Sequence, residues 1–337
     1  MRTVLSCFVA VATLTACNTP QAAAKLPSAA SSSSVAAMRG HLTSGSAGGL
    51  NYKLYVPQAA GPRGVLPLVV MLHGCSQDGT EISAVSGLNT LADRETFVAL
   101  YPEESHAHHM NRCWRWFDPA HQKRDAGEPA IIKAMIDQVQ LQHNTDPTRT
   151  YVAGLSAGGA MAAVLAAVYP DVFAAASSAA GMEFLAATNE IAAWQAMSLG
   201  GPDPLSIAPK IFKLMGDRPA TMPMLVFHGT SDVTVNRKNG EQTLTQWVGA
   251  NNLVLGALGK PQLPAKPTRT EKGQSPGGRT FTTFAYDETP GNVLVEGVFV
   301  DGMGHAWPGG ASGHKYSDPT GPDATARLWS FFRDRKR

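Results

Sequence analysis

The stretch YVAGLSAGGAM, Tyr151 to Met161, passes from strand-forming residues into an Ala-rich helix-forming run. At the junction Gly154-Leu155-Ser156-Ala157-Gly158 forms G-x-S-x-G. Between a strand and a helix this pattern is a nucleophile elbow. The serine sits on a sharp, strained turn. Side chains two residues away on either side would collide there, so positions 154 and 158 call for glycine. The N-terminus of the following helix aims backbone N–H groups at the same spot, which favours a developing oxyanion.

Working outward, LNYKLYVP alternates Tyr52, Leu54 and Val56 like a strand, and VLPLVVML is a continuous apolar run, as in a strand covered on both faces. DGTEISAVSGLNTLADRE then reads as helix. Ile82, Val85, Leu88 and Leu91 share a face, and Asp78 with Glu81 forms a capping box. TFVALYP is a strand. EPAIIKAMIDQVQLQ is a helix with Pro129 near its start. After the elbow and its helix, VFAAASS is a strand. The stretch from Glu183 to Thr221 reads as irregular, and MLVFHG resumes the sheet. NGEQTLTQWVGAN is a helix, and LGKPQLPAKPTRTEKGQSPGG a long polar loop. RTFTTFAY and VLVEGVFV are strands, and ATARLWSFFRD closes the chain as a helix. Alternating helices and apolar strands predict an α/β fold, a mostly parallel central sheet with helices on both faces.

A serine hydroxyl is a poor nucleophile without a base held by a third group. With this elbow the chain order is serine, acid, histidine. FHGTSDVTV supplies Asp232 after the next strand, and VDGMGHAWPGG supplies His305 after the last one. His228 lies at a strand end ahead of the acid and reads as structural. His314 is farther from the strand, and Asp301 competes with an acid already in position.

The 337 residues are 44% hydrophobic and 16% charged, with a net charge of +2. That suits one large domain over residues 41–337, and no Lys/Arg stripe supports a nucleic-acid partner. The start is a targeting segment, residues 1–17: Arg2, a short apolar run from Val4 to Leu14, then LTAC ending in Cys17. LTAC resembles the lipobox of bacterial lipoproteins, so Cys17 is expected to carry lipid and to anchor the protein at the cell envelope. Asn18 points, by resemblance, to outer-membrane retention. Cleavage near AAA, Ala22 to Ala24, with plain secretion is the alternative. Residues 18–40 read as a Ser/Ala-rich tether.

The sequence has four cysteines. Cys7 leaves with the signal, and Cys17 is lipidated or removed. Cys75 and Cys113 remain, in a compartment that permits disulfides. Counting makes them partners; two free buried thiols are the alternative. HAHHMNRCWRW crowds His106, His108 and His109 too closely for one compact metal site and reads as a solvated loop. Neither a metal nor a cofactor is expected. Trp114 and Trp116 read as packing residues. Trp307, two residues past His305, is expected to line the acyl or alcohol pocket, with a core anchor as the other reading.

MLHGCSQDGTEI, LADRETFVALYPE, CWRWF, the elbow stretch, FHGTSDVTV and GMGHAWPGG together resemble the extracellular poly(3-hydroxybutyrate) depolymerase family of esterases, whose relatives include feruloyl and acetylxylan esterases. The resemblance runs from about Leu50 to the C-terminus. It implies the α/β-hydrolase fold and a triad of Ser156, Asp232 and His305. It also implies an oxyanion hole made by the Cys75 N–H, from the H-G-C loop, and the Ala157 N–H. Dedicated polymer depolymerases of this family carry a linker and a separate binding domain. The present chain ends at the closing helix, so smaller or accessible esters are the expected substrates. The rival readings are a feruloyl or acetylxylan esterase, an amidase on the same triad, and a surface-tethered binding protein with a vestigial site.

Overall fold

The computed structural model describes residues 40–58, 65–216 and 219–337. The expected targeting segment with Cys17, and the expected tether up to residue 39, lie outside the described residues.

Ten strands form one sheet, in the order β1-β2-β4-β3-β5-β6-β7-β10-β9-β8. They are β1 (His41–Ala47), β2 (Leu50–Val56), β3 (Leu66–Leu72), β4 (Val98–Glu103), β5 (Thr145–Leu155), β6 (Ala175–Ala179), β7 (Met224–Gly229), β8 (Arg269–Gln274), β9 (Thr280–Thr289) and β10 (Asn292–Val300). The six central strands, from β4 to β10, pair parallel. Antiparallel strands finish both edges. The expected α/β architecture is present.

The helices are α1 (Gly79–Ser86), α2 (Leu88–Glu95), α3 (Gly127–His143), α4 (Ala157–Val168), α5 (Glu190–Leu199), α6 (Pro204–Leu214), α7 (Lys238–Ala257) and α8 (Ala324–Phe332). Alternation along β3 explains the two layers. Leu68, Val70 and Leu72 face a core completed by α3, α4, α6 and α7. Val69 and Met71 face a second core, completed by α1, α2 and α8.

Three readings need correction. The single helix expected from Asp78 to Glu95 is two, because Gly87 turns left-handed at φ 65° and ends α1. The capping box is present, with both the Asp78 and Glu81 side chains engaged. The stretch read as irregular holds α5, capped by Asn189, and α6, started by Asp203 and Pro204. The polar loop after α7 contains β8, an exposed edge strand.

Candidate active site

Four strand ends build the site. β5 runs into Ser156, whose φ of 59° is a left-handed backbone that non-glycine residues rarely adopt. The strain is held in place by close backbone packing. A Cβ on Gly154 would lie 2.3 Å from Gly158 backbone, and one on Gly158 would lie 2.4 Å from the Leu72 carbonyl oxygen. Ser156 N–H donates to Ala179 O at 2.8 Å, which ties the elbow to β6.

β7 and β10 deliver Asp232 and His305. Their loops are joined by Thr230 N–H to Val300 O at 2.9 Å, Ser231 N–H to Met303 O at 3.0 Å, and Gly302 N–H to Thr230 Oγ1 at 2.9 Å. Asp232 Oδ1 accepts from Thr234 and Val235 N–H at 2.9 and 2.8 Å. Its Oδ2 stands 2.7 Å from His305 Nδ1. Burial pushes the Asp232 carboxyl up, but the His305 hydrogen bond and charge, with the Val235 N–H, hold it below its ordinary value. An ionised Asp232 makes Nδ1 the donor and leaves His305 Nε2 free to accept a proton.

β3 delivers the His73-Gly74-Cys75 loop, which is expected to supply an oxyanion donor. His73 is fully buried, and burial lowers its imidazole to about 4. It is therefore neutral. Nε2 accepts from Glu104 N–H at 2.9 Å, which fixes the proton on Nδ1, donating to Gly74 O at 2.7 Å. Gly74 N–H donates to Gln77 Oε1 at 2.9 Å. Ser76 N–H and Gln77 N–H are also used, by Asn111 O and Gly74 O. The Cys75 N–H has no acceptor among the described residues, and neither does the Ala157 N–H, at the first turn of α4 where no intrahelical bond forms. The Cys75–Cys113 disulfide is present, spanning 38 residues. It joins the loop to the segment whose Arg115 N–H and Nε–H both donate to buried Glu128, at 2.8 and 3.2 Å.

Ser156 and His305 open on one cavity of about 370 Å³. Trp116, Phe117, Trp194 and Met197 give it apolar walls, while Gln77, His109 and Glu190 add polar groups. The sequence does not reveal the α5 wall, since its stretch reads as irregular; the Asn189 cap is the available signal. Trp116 both packs and lines the cavity. His106 and His108 are solvated as expected, whereas His109 turns inward and its Nδ1 accepts from Cys113 N–H at 3.2 Å.

Trp307 is a correction. It is 0% exposed and stands in the core, not on the cavity wall. Its indole N–H donates to Thr325 Oγ1 at 3.0 Å, and its ring sits 6.3 Å from that of Phe227. The Trp307–Pro308 segment pairs with Ser317–Asp318, which turns the ring inward. His228 is buried, and its Nε2–H donates to Val235 O at 2.8 Å, so it supports the acid loop. His314 is exposed, and Asp301 accepts from Thr280 Oγ1 at 2.7 Å on the surface.

Comparison with known proteins gives concordant matches. Residues 50–271 match the family described as esterase PHB depolymerase. A poly(3-hydroxyalkanoate) depolymerase C of Paucimonas lemoignei is 34% identical over 288 residues, 85% of this chain and 66% of that protein. A poly(3-hydroxybutyrate) depolymerase of Ralstonia pickettii is 30% identical over 301 residues, 81% of this chain and 55% of that protein. The chain thus spans only part of the length of these relatives. Acetylxylan esterase A of Aspergillus awamori is 28% identical over 268 residues, 76% of this chain and 80% of that protein. The solved acetyl xylan esterase structure from Aspergillus awamori superposes with a TM-score of 0.69 at 21% identity, covering 87% of this chain and 99% of that one. That likeness establishes the shared fold.

Proposed function

Because the chain belongs to the esterase PHB depolymerase family, we propose that it hydrolyses carboxylic esters through Ser156, His305 and Asp232. The observation that carries this reading is the 2.7 Å contact between Asp232 Oδ2 and His305 Nδ1, at a cavity shared with an elbow serine.

The ester carbonyl enters beside Ser156. His305 Nε2 takes the Ser156 proton as Oγ bonds to the carbonyl carbon. Asp232 keeps the imidazole in the tautomer that can do this and stabilises its charged form. The carbonyl oxygen gains negative charge and receives the Cys75 and Ala157 N–H groups, each worth about 3 kcal/mol to the transition state. The C–O bond to the alcohol breaks, and His305 returns the proton to the leaving oxygen. Water then attacks the acyl-serine by the same route in reverse.

The apolar walls favour short, uncharged acyl groups, including units of poly- or oligo(3-hydroxyalkanoate), the substrate named for two relatives. An acetylxylan-type ester is the second reading. The high coverage of the Aspergillus awamori esterase, by sequence and by fold, favours it. Comparing kcat/KM for 3-hydroxybutyrate oligomers and acetylated xylo-oligosaccharides separates the two. Fluorophosphonate labelling tests the mechanism: wild type labels at Ser156 and Ser156→Ala does not. An unlabelled wild type would leave a binding protein as the reading.

Export with a lipid anchor on Cys17 belongs to the same proposal. LTAC and a disulfide beside the site support it. Cys17→Ser then abolishes lipid labelling; labelling that persists rules the anchor out.

A further inference from the structure

One side-chain amide stands at the oxyanion loop with half of its hydrogen-bonding capacity unused. Gln77 is 3% exposed and lines the cavity together with Gly74, Cys75 and Ser156. Its Oε1 accepts from Gly74 N–H at 2.9 Å. That bond settles the orientation of the amide, because only the oxygen can accept. The Nε2 branch therefore points away from Gly74 N–H. A Cβ on residue 74 would lie 3.1 Å from Gln77 Oε1 and 3.3 Å from Ser156 Cβ, so the amide and the serine meet around one α-carbon.

Among the described residues no acceptor takes the Nε2–H groups, and Nε2 is not among the sealed, unpartnered buried atoms. It therefore reaches open space. A donor this withdrawn from bulk water is costly unless an acceptor reaches it. The neighbouring backbone donor, Cys75 N–H, is equally unclaimed. Preorganised donors around the point where negative charge develops are the arrangement that stabilises an oxyanion, and glutamine side chains can serve in it.

We propose that Gln77 Nε2–H is a third donor to the oxyanion that forms on the ester carbonyl, beside the Cys75 and Ala157 N–H groups. The proposal rests on the serine-hydrolase reading above. Gln77 then has two roles in one amide. Oε1 fixes the loop by holding Gly74 N–H, and Nε2 touches the reacting oxygen.

The decisive experiment is the crystal structure of the fluorophosphonate adduct. A phosphonylated Ser156 with Nε2 within about 3.2 Å of the phosphonyl oxygen in the hole supports the proposal. A phosphonylated Ser156 with Nε2 beyond about 4 Å, turned into the adjoining pocket beside Glu81, overturns it and leaves the hydrolase reading intact. Absence of any adduct at Ser156 overturns both. Kinetics give an independent arm with p-nitrophenyl butyrate. Gln77→Met should lower kcat about 10- to 100-fold with KM within about threefold. Gln77→Glu keeps an acceptor for Gly74 N–H and loses the donor, so it remains informative if the Met variant fails to fold. It should also lose kcat. Wild-type kcat in Gln77→Glu would reduce the residue to loop positioning and defeat the proposal.

Discussion

The Trp114 indole N–H donates to the carbonyl oxygen of His73 at 3.1 Å. The residue after Cys113 thus holds the backbone two residues before Cys75. The disulfide and this hydrogen bond clamp the same loop from both sides of its exposed donor.

Removing the covalent half of that clamp should cost more stability than activity. In the chain-entropy model, a bridge closing a loop of 38 residues contributes about 4 kcal/mol. Cys75→Ala with Cys113→Ala should therefore lower the midpoint of urea unfolding markedly. The kcat should fall less than about 10-fold, since Trp114, His73 and Gln77 still grip the loop. A double variant as stable as wild type contradicts this account.

Asp232→Asn should leave the fold intact and nearly abolish turnover. Asn Oδ1 can keep the Thr234 and Val235 N–H groups. Its amide N–H then faces His305 Nδ1, which must become the acceptor, and the imidazole proton moves to Nε2. A base protonated at the wrong nitrogen cannot accept from Ser156, and kcat should drop about 10³- to 10⁴-fold. The check is steady-state kinetics beside a thermal melt; a drop under about 10-fold would remove Asp232 from its assigned role.

Two glycines near the site should respond oppositely to alanine. At Gly158 a Cβ would lie 2.4 Å from Leu72 O and 2.5 Å from His73 O, both backbone atoms that cannot yield cheaply. At Gly304, beside His305, a Cβ meets nothing within 4 Å. Gly158→Ala should unfold the elbow or lose all activity. Gly304→Ala should stay within about 0.5 kcal/mol of wild type. Equal melting curves for the two variants would show that the elbow relaxes where the structure says it cannot.

Glu183 gives a pH signature in stability. Burial, aided by the Asp203 charge, raises its carboxyl from 4.5 to about 8. Oε2 accepts from Gln246 Nε2 at 3.0 Å, and Oε1 is buried without a partner. Between those two values the unfolded chain has lost this proton and the native state keeps it. The native state binds more protons there, so this group makes stability fall as pH rises, by up to about 1.4 kcal/mol per pH unit. Glu183→Gln should remove that slope. Its advantage over wild type in urea unfolding should grow from pH 5 to pH 8 and then level off. Parallel stability curves would mean that Glu183 is ionised in the native state.

Trp194 lies on the cavity wall yet is 63% exposed, so it belongs to the rim. Trp194→Ala should barely change the melting temperature. KM for long acyl esters should rise several-fold more than KM for acetate esters, because only a longer chain reaches the rim. An equal change for both would place the chain elsewhere.

The elbow and the first helix cap were legible in sequence because local rules fix them. An elbow needs glycines two residues either side of its serine, and the Asp78–Glu81 cap is written in four residues. The cavity walls obey no such rule. α5 is Ala-rich and its faces differ little in hydrophobicity, so its periodicity is faint even though Asn189 caps it. β8 is polar throughout, because an exposed edge strand has no apolar face to reveal it. Trp307 was misplaced for a related reason. Closeness to His305 in sequence does not decide which way the ring turns, and pairing with Ser317–Asp318 turned it to the core.

The order β5-β6-β7-β10 also acts as a ruler. Ser156 and Asp232 follow strands that are two places apart, β5 and β7, which at the ordinary inter-strand spacing lie roughly 9–10 Å from each other. His305 follows β10, on the far side of β7, and its loop carries the imidazole back to within 2.7 Å of Asp232 and to the cavity that Ser156 also lines. β6 lies between β5 and β7, and its width sets that span. Its small residues matter above the sheet, where a Cβ on Gly159 would lie 2.9 Å from Ala179 O and 3.0 Å from Ser178 Oγ. The lateral offset between the serine loop and the acid loop is thus a property of the sheet's own lattice, inherited from backbone hydrogen bonding.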